Sequence, residues 1–153
     1  MWSYEHSVVT TAPAAMVWRL WVDVPSWRTW NADIEEIQIS GPFAVGSEIV
    51  MNPHGDNPVR LRLAEVVEPE RFVDEADLGD VLVRTTHRVD PVDGERNQVT
   101  YRMEISGPAA DEVGPQVGPM ITADFPETMT ALVRLAEASV RTGVQAGAEV
   151  TAS

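Results

Sequence analysis

Three side chains that can hydrogen-bond a ligand or move a proton, Thr85, His87 and Tyr101, lie in two neighbouring strand-like segments. The segments are DVLVRTTHRV and QVTYRMEIS, and both alternate apolar with polar residues over most of their length. Side chains two residues apart in a strand point to the same face of the sheet, so Thr85 and His87 share a face. A neutral imidazole has one donor and one acceptor, so it binds a carbonyl group or accepts a proton. These residue types indicate a binding or proton-transfer site if they point inward.

The connection VDPVDGERN decides which residues of the two segments oppose each other. A two-residue turn at Asp93-Gly94 would mix apolar and charged residues on both faces. A three-residue loop over 92–94, with Gly94 left-handed, gathers the apolar residues on one face and pairs His87 with Val99. This register, which we predict, also pairs Thr85 with Tyr101, Val83 with Met103 and Val81 with Ile105. The inner face is then either a filled core whose polar atoms find partners or the wall of a ligand cavity.

The amino-acid composition excludes several classes of reaction. The chain has no cysteine, which excludes disulfides, thiolate nucleophiles and thiolate metal sites. All eleven basic residues are arginine, so Schiff-base chemistry through lysine is excluded as well. No two of the histidines His6, His54 and His87 are close in sequence, and no phosphate-binding or dinucleotide-binding glycine motif occurs. We therefore expect no metal and no cofactor.

The net charge of −13 over 153 residues limits the partners of the chain. Phosphate contacts dominate nucleic-acid binding, and this charge repels nucleic acids and anionic membrane surfaces. No apolar run reaches the roughly 18 residues that a membrane span needs, and the N-terminus lacks a basic segment followed by an apolar one. We expect a cytoplasmic monomer or homodimer, with one domain over residues 1–141 and a flexible tail over 142–153.

The predicted elements come in the order strand, helix, short helical turn, six strands and long helix. SYEHSVVTT predicts a strand near residues 3–11, and the helix that follows has Thr11 as its cap and Pro25 just beyond its end. The six later strands are short and separated by Gly, Pro, Asp and Asn, which indicates antiparallel pairing through short turns.

The last predicted helix spans about residues 116–139. Pro126 lacks a backbone donor, so it either kinks this helix or starts its main segment. Asp124 is the expected cap of that segment, and Glu127 would complete a capping box. The residues expected to turn inward are Phe125, Met129, Leu132 and Val133.

Four segments, in the same order, resemble the SRPBCC or START-like superfamily over about residues 3–140. TTAPAAMVWRLWVDVPSWRTW is similar to its entry segment, SGPFAVGSEI to its Gly-x-x-x-x-Gly connection, and LAEVVEPERFV to its strand, Glu-Pro turn and return strand. GPMITADFPETMTALVRLAEAS resembles the closing helix of the polyketide cyclase/dehydrase-like branch. The resemblance implies an α+β helix-grip fold. In that fold a curved antiparallel sheet of about seven strands surrounds a long C-terminal helix, two short helices follow the first strand, and a cavity lies inside.

In such a fold, Trp27 and Trp30 of the stretch VPSWRTWN would lie near the end wall of the cavity. Each buried indole needs a hydrogen-bond partner. We assign Trp27 to the core and Trp30, which is nearer the following strand, to ligand contact. The full set of expected ligand-binding residues is Trp30, Met51, Thr85, His87, Tyr101, Met103, Phe125 and Met129.

Two functions fit these expectations. The first is a carrier that shelters an apolar, aromatic or lipid-like small molecule in the cavity. The alternative is a polyketide cyclase/dehydratase-like enzyme, in which the cavity orients a reactive ligand and His87 or Tyr101 moves a proton. No catalytic signature of that superfamily is recognisable in the sequence, so no residue is assigned a catalytic role.

Overall fold

A computed structural model of the chain describes the backbone of residues 1–55 and 57–152 and the side chains of residues 1–55 and 57–140. A short 3-10 turn, Val24–Ser26, precedes the second helix. The strands are β1 (Trp2–Thr10), β2 (Ile34–Ile39), β3 (Glu48–Pro53), β4 (Val59–Val67), β5 (Arg71–Asp77), β6 (Leu82–Pro91) and β7 (Asn97–Ser106). The helices are α1 (Ala14–Val22), α2 (Trp27–Trp30), α3 (Ala110–Thr122) and α4 (Phe125–Ala152).

Seven strands form one curved sheet in the order β1-β7-β6-β5-β4-β3-β2, and all neighbouring strands are antiparallel. The connections from β2 to β7 let each of these strands pair with the next one, and β1 pairs with β7 at one edge of the sheet. Helix α4 packs against β1 and α1. The predicted α+β helix-grip architecture, with two short helices after the first strand and a long C-terminal helix, is confirmed.

Helix α1 begins later than its predicted cap. Pro13, in an extended conformation, occupies the cap position, and no described side chain forms a capping hydrogen bond there. The prediction that Thr11 caps the helix is therefore wrong, because Pro13 separates it from the first helical residue. Val17 and Trp21 are buried on the inner face of the helix, as its apolar spacing predicts.

The C-terminal region contains two helices where one was predicted. Helix α3 begins at Ala110, although its segment DEVGPQVGPM holds two glycines and two prolines that argue against a helix. The glycines are needed for packing, because a Cβ on Gly114 would lie 2.5 Å from a Trp2 side-chain atom and one on Gly118 would lie 2.6 Å from its ring. Close approach to β1 therefore explains the two glycines, which helix propensity alone disfavours.

Helix α4 starts as Pro126 predicts. Pro126 is the second helical residue, where a backbone N–H would have no partner within the helix. Among the described side chains, Asp124 caps no N–H of this first turn, and its carboxyl instead contacts Asp33. Met129, Leu132 and Val133 are buried, as predicted. The backbone of residues 142–152 continues this helix, the flexibility of residues 142–153 stays a prediction, and Ser153 lies outside the described residues.

The β6–β7 hairpin has a longer loop than predicted. Pro91 pairs with Asn97 and His87 with Tyr101, so the predicted pairing of His87 with Val99 is wrong by two residues. The Asp93 side chain accepts hydrogen bonds from the backbone N–H groups of residues 95 and 96, which stabilises a five-residue loop. In this loop residue 94 does not take the predicted left-handed conformation. A shift of two residues keeps every side chain on its predicted face.

No helix among the described residues is long and apolar enough to cross a bilayer. The main apolar core lies between the inner face of the sheet and helices α1, α2 and α4. A smaller apolar cluster, which includes Val83, Met103 and Ile105, lies under α3.

Candidate functional site

The inner face of the sheet carries two adjacent rows of side chains across β5, β6 and β7. The first row consists of Phe72, His87 and Tyr101, which lie directly opposite one another. The second row contains, in the same strand order, Asp74, Thr85 and Met103. All six residues are buried. The rows thus place four hydrogen-bonding side chains on an otherwise apolar wall.

His87 is held in its row by ring stacking. Its imidazole lies parallel to the Phe72 ring, with the ring centres 4.0 Å apart, and Nδ1 is 3.4 Å from the Phe72 carbonyl oxygen. Burial lowers the pKa of His87 to about 3, and the contact with the Phe72 carbonyl opposes this shift only in part. The imidazole is therefore neutral at physiological pH.

Asp74 is a buried carboxyl group that pairs with no arginine among the described residues. It is 5% exposed, and no hydrogen bond to its carboxyl is found among the described residues. The closest basic atom is His87 Nε2, 3.9 Å from Asp74 Oδ2. Burial, with a smaller contribution from the charge of Glu75, raises the pKa of Asp74 to about 7. Because both pKa shifts favour neutral forms, Asp74 and His87 form a contact between uncharged groups at mildly acidic pH and not an ion pair.

Tyr101 completes the polar part of the wall. Its hydroxyl accepts a hydrogen bond of 3.1 Å from Trp21 Nε1, which fixes the phenol against helix α1. Its ring packs edge-on against His87 at 4.5 Å and against Phe125 at 5.7 Å. Burial raises the pKa of Tyr101, so the hydroxyl keeps its proton and remains a donor for another group.

The structure brings together most, though not all, of the residues predicted for the site. Thr85, His87 and Tyr101 share the inner face of β6 and β7. Phe125 contacts Tyr101, Met129 belongs to the same core, and Met103 belongs to the cluster under α3. Met51 lies on β3, three strands away from β6, and Trp30 lies on α2.

Sequence reasoning missed Asp74. The segment RFVDEAD alternates so that Phe72, Asp74 and Ala76 share a face, and both neighbours are apolar. An acidic residue on the apolar face of a strand was the available signal. Two further acidic residues in the same segment, Glu75 and Asp77, obscure this signal in the sequence.

The two indoles of α2 differ in their hydrogen bonding. Trp27 Nε1 donates to the Trp21 carbonyl oxygen at 3.0 Å, in keeping with its assignment to the core. Trp30 Nε1 is buried and has no acceptor among the described residues. An unsatisfied buried donor is uncommon in folded proteins and requires an explanation such as a water or a ligand.

Two surface pockets border this core. The larger has a volume of about 790 Å³ and lies against α1, and the smaller has a volume of about 310 Å³ and lies between α2 and α4. Of the eight predicted ligand-binding residues, only Trp30 lines either pocket, and it lines the smaller one. The inner-face side chains contact one another, so a ligand at the two rows must displace part of these contacts.

The smaller pocket holds a pair of carboxyl groups. Asp124 shares a hydrogen bond with Asp33, and Glu127 lies nearby. Partial burial, followed by the hydrogen bond and charge of Asp33, raises the pKa of Asp124 to about 6. Among the described residues, no group of three or more His, Asp or Glu side chains is arranged to hold a metal ion.

Known proteins resemble this chain in sequence and in fold. The family model described as polyketide cyclase/dehydrase and lipid transport matches residues 1–137. A Thermobifida fusca protein solved by solution NMR is 23% identical, with a TM-score of 0.74 over 89% of this chain and 93% of that one. Norcoclaurine synthase from Thalictrum flavum, in complex with dopamine and hydroxybenzaldehyde, is 16% identical, with a TM-score of 0.71 over 87% of this chain and 84% of that one.

A third similar structure is the di-domain ARO/CYC BexL from the BE-7585A biosynthetic pathway. It is 18% identical, with a TM-score of 0.70 over 88% of this chain and 46% of that chain. No curated protein has a matching sequence. At these identities the three structures show a shared fold, and the chemistry has to be argued from the residues of this chain.

Proposed function

We propose that this chain, which belongs to the polyketide cyclase/dehydrase and lipid transport family, binds an apolar, ring-containing small molecule between the inner face of the sheet and helix α4. The observation that carries the proposal is the buried Asp74 carboxyl in a wall made otherwise of aromatic and aliphatic side chains. Small-molecule sites are typically apolar with a few convergent polar groups. Groups with strongly shifted pKa values are also concentrated at functional sites.

The polar groups on this wall suggest the chemistry of the ligand. Protonated Asp74 and the Tyr101 hydroxyl are donors, and neutral His87 offers a donor and an acceptor. Trp30 Nε1 is a further donor that lacks an acceptor among the described residues. A ligand with carbonyl or hydroxyl oxygens on an aromatic framework would satisfy these donors while its rings pack against Phe72.

The same wall supports a second candidate function, a cyclase/dehydratase reaction. Cyclodehydration of a poly-β-ketone requires a base that removes a proton from the carbon between two carbonyls. The carbanion then attacks a ketone carbon, and the alkoxide that forms takes up a proton to give a hydroxyl. A base removes the second proton from the attacking carbon while an acid protonates the hydroxyl, so that a C=C bond forms and water leaves. Asp74 is the residue that favours this candidate, because a carboxyl with a pKa near 7 is populated in both its acid and base forms at neutral pH.

Ligand binding is tested by titrating the protein with N-phenyl-1-naphthylamine, a neutral probe whose fluorescence rises in apolar surroundings. We expect saturable binding, and His87→Leu should weaken it by tenfold or more while the protein stays folded. Thr86→Val is the matched control, because Thr86 neighbours His87 on the opposite face of β6. The absence of saturable binding by the wild-type protein would refute the proposal.

The enzymatic candidate needs a separate experiment. A poly-β-ketone made by a minimal polyketide synthase would be incubated with the wild-type protein and with Asp74→Asn, and the ring pattern of the products followed by mass spectrometry. The wild type should change the product pattern, and Asp74→Asn should lose this effect while it still binds the fluorescent probe. Identical products with and without the wild-type protein would leave the carrier function as the remaining candidate.

A further inference from the structure

The larger pocket, of about 790 Å³, lies outside the two inner-face rows and contains none of the predicted site residues. Its apolar walls come from three elements: Met16 and Trp18 from α1, Phe43 from the β2–β3 connection, and Val66 from the end of β4. Its volume lies within the range of about 300–1,000 Å³ that is typical of small-molecule sites. The pocket is therefore large enough for a ligand of two or three fused rings.

Two aromatic side chains define one wall of this pocket. The rings of Trp18 and Phe43 pack edge to face, with their centres 5.9 Å apart. Phe43 also packs edge to face against Phe72, at 5.1 Å, and Phe72 is the residue that stacks on His87. Phe43 thus contacts both the pocket and the inner-face row, so the two regions are separated by one aromatic layer.

The rim of the pocket is polar. Arg19, Asp23 and Glu68 line it, and all three are exposed and form no ion pair among the described side chains. Their side chains are therefore available to hydroxyl or carbonyl groups at one end of a ligand, while the rings of the ligand face the apolar walls.

We propose that this pocket is a second, outer binding site for an aromatic small molecule, seated on Trp18 and Phe43. The inference rests on the proposed function in that both sites take the same class of ligand, and it adds a site that is separate from the inner-face rows. A ligand in this pocket would contact aromatic rings and the apolar side chains of α1 and β4, so we expect neutral ring compounds to occupy it.

The absence of cysteine from the sequence provides a direct test, because one introduced cysteine is then the only thiol. Ala15→Cys places the thiol at an exposed position that lines the pocket. Saturating N-phenyl-1-naphthylamine should slow its alkylation by iodoacetamide at least fivefold, as followed by mass spectrometry. Val45→Cys is the matched control, because Val45 is 61% exposed in the same connection as Phe43 and does not line the pocket. Its alkylation rate should not change.

The test is repeated in the His87→Leu background to separate the two sites. Protection of Ala15→Cys should persist there, because the outer site does not include His87. If probe binding is saturable and weakened by His87→Leu but the alkylation of Ala15→Cys is unchanged, the outer site is overturned and the proposed function stays intact. If the probe protects Ala15→Cys but its binding does not respond to His87→Leu, the outer site is supported and the inner site is not. No probe binding at all would overturn both.

Discussion

Asp74→Asn and His87→Leu should change the pH dependence of stability in opposite directions. Asp74 has a pKa of about 7 in the folded chain against 3.8 for an unperturbed carboxyl. The folded state therefore holds a proton that the unfolded state has lost, and stability decreases as the pH rises from about 3.8 to 7. His87 behaves in the opposite way, because its pKa is about 3 in the folded chain against 6.5 when unperturbed. Stability is thus lost as the pH falls from 6.5 towards 3.

These two dependences cancel between about pH 4 and 6.5 in the wild type. Each group changes the free energy of unfolding by about 1.4 kcal/mol per pH unit in this window, with opposite sign. Asp74→Asn removes the decrease and leaves the rise due to His87. Over 1.5 pH units its stability should increase by about 2 kcal/mol relative to the wild type, and that of His87→Leu should decrease by a similar amount.

Urea denaturation at pH 5.0 and pH 6.5, followed by tryptophan fluorescence, measures these changes. The window lies above the isoelectric point of about 4.4, where the chain stays negatively charged. Carboxyl groups elsewhere contribute equally to all three proteins, so the comparison between variants isolates the pair. Stability changes that are the same in all three proteins would show that Asp74 and His87 titrate normally and that the inner-face wall is open to water.

Two further predictions concern packing near the site. Trp27→Phe leaves the Trp21 carbonyl without its donor, whereas the indole N–H lost in Trp30→Phe has no acceptor among the described residues. Trp27→Phe should therefore lower the free energy of unfolding by about 1–3 kcal/mol more than Trp30→Phe. Equal losses in chemical denaturation would contradict the different roles of the two indoles. Gly118→Ala should destabilise the chain by about 1–3 kcal/mol through the clash with Trp2, whereas Gly94→Ala, where a Cβ meets nothing within 4 Å, should not. A thermal melt of Gly118→Ala that matches the wild type would show that α3 does not pack on β1 as described.

The inner face of the site was predictable because a strand has a period of two. The alternation in β6 and β7 predicts that Thr85, His87 and Tyr101 face inward, and this remains correct although the register differs by two residues. Loop length was not predictable from the glycine in VDPVDGERN, because the Asp93 side chain organises the loop through its hydrogen bonds to the backbone. Local side-chain bonding of this kind competes with the turn preferences of glycine.

Other features depend on contacts between distant segments. Helix α3 contains prolines and glycines that predict a break, and the proximity of Trp2 to Gly114 and Gly118 gives a reason for the glycines. Asp74 is likewise unremarkable in an acidic chain until the sheet places it between Leu63 and Thr85. Trp30 was predicted to contact a ligand, and its unsatisfied indole N–H keeps that prediction in place as a proposal.

Binding of a ring-containing molecule between the sheet and α4 is tested most directly by native mass spectrometry of the protein purified from its own host. We expect a species heavier than the 16.8 kDa chain by the mass of a small organic molecule. Denaturation should release this molecule, and its ultraviolet spectrum should be that of an aromatic compound. The proposed function is contradicted if the mass spectrum contains only the bare chain and the same protein fails to bind N-phenyl-1-naphthylamine saturably.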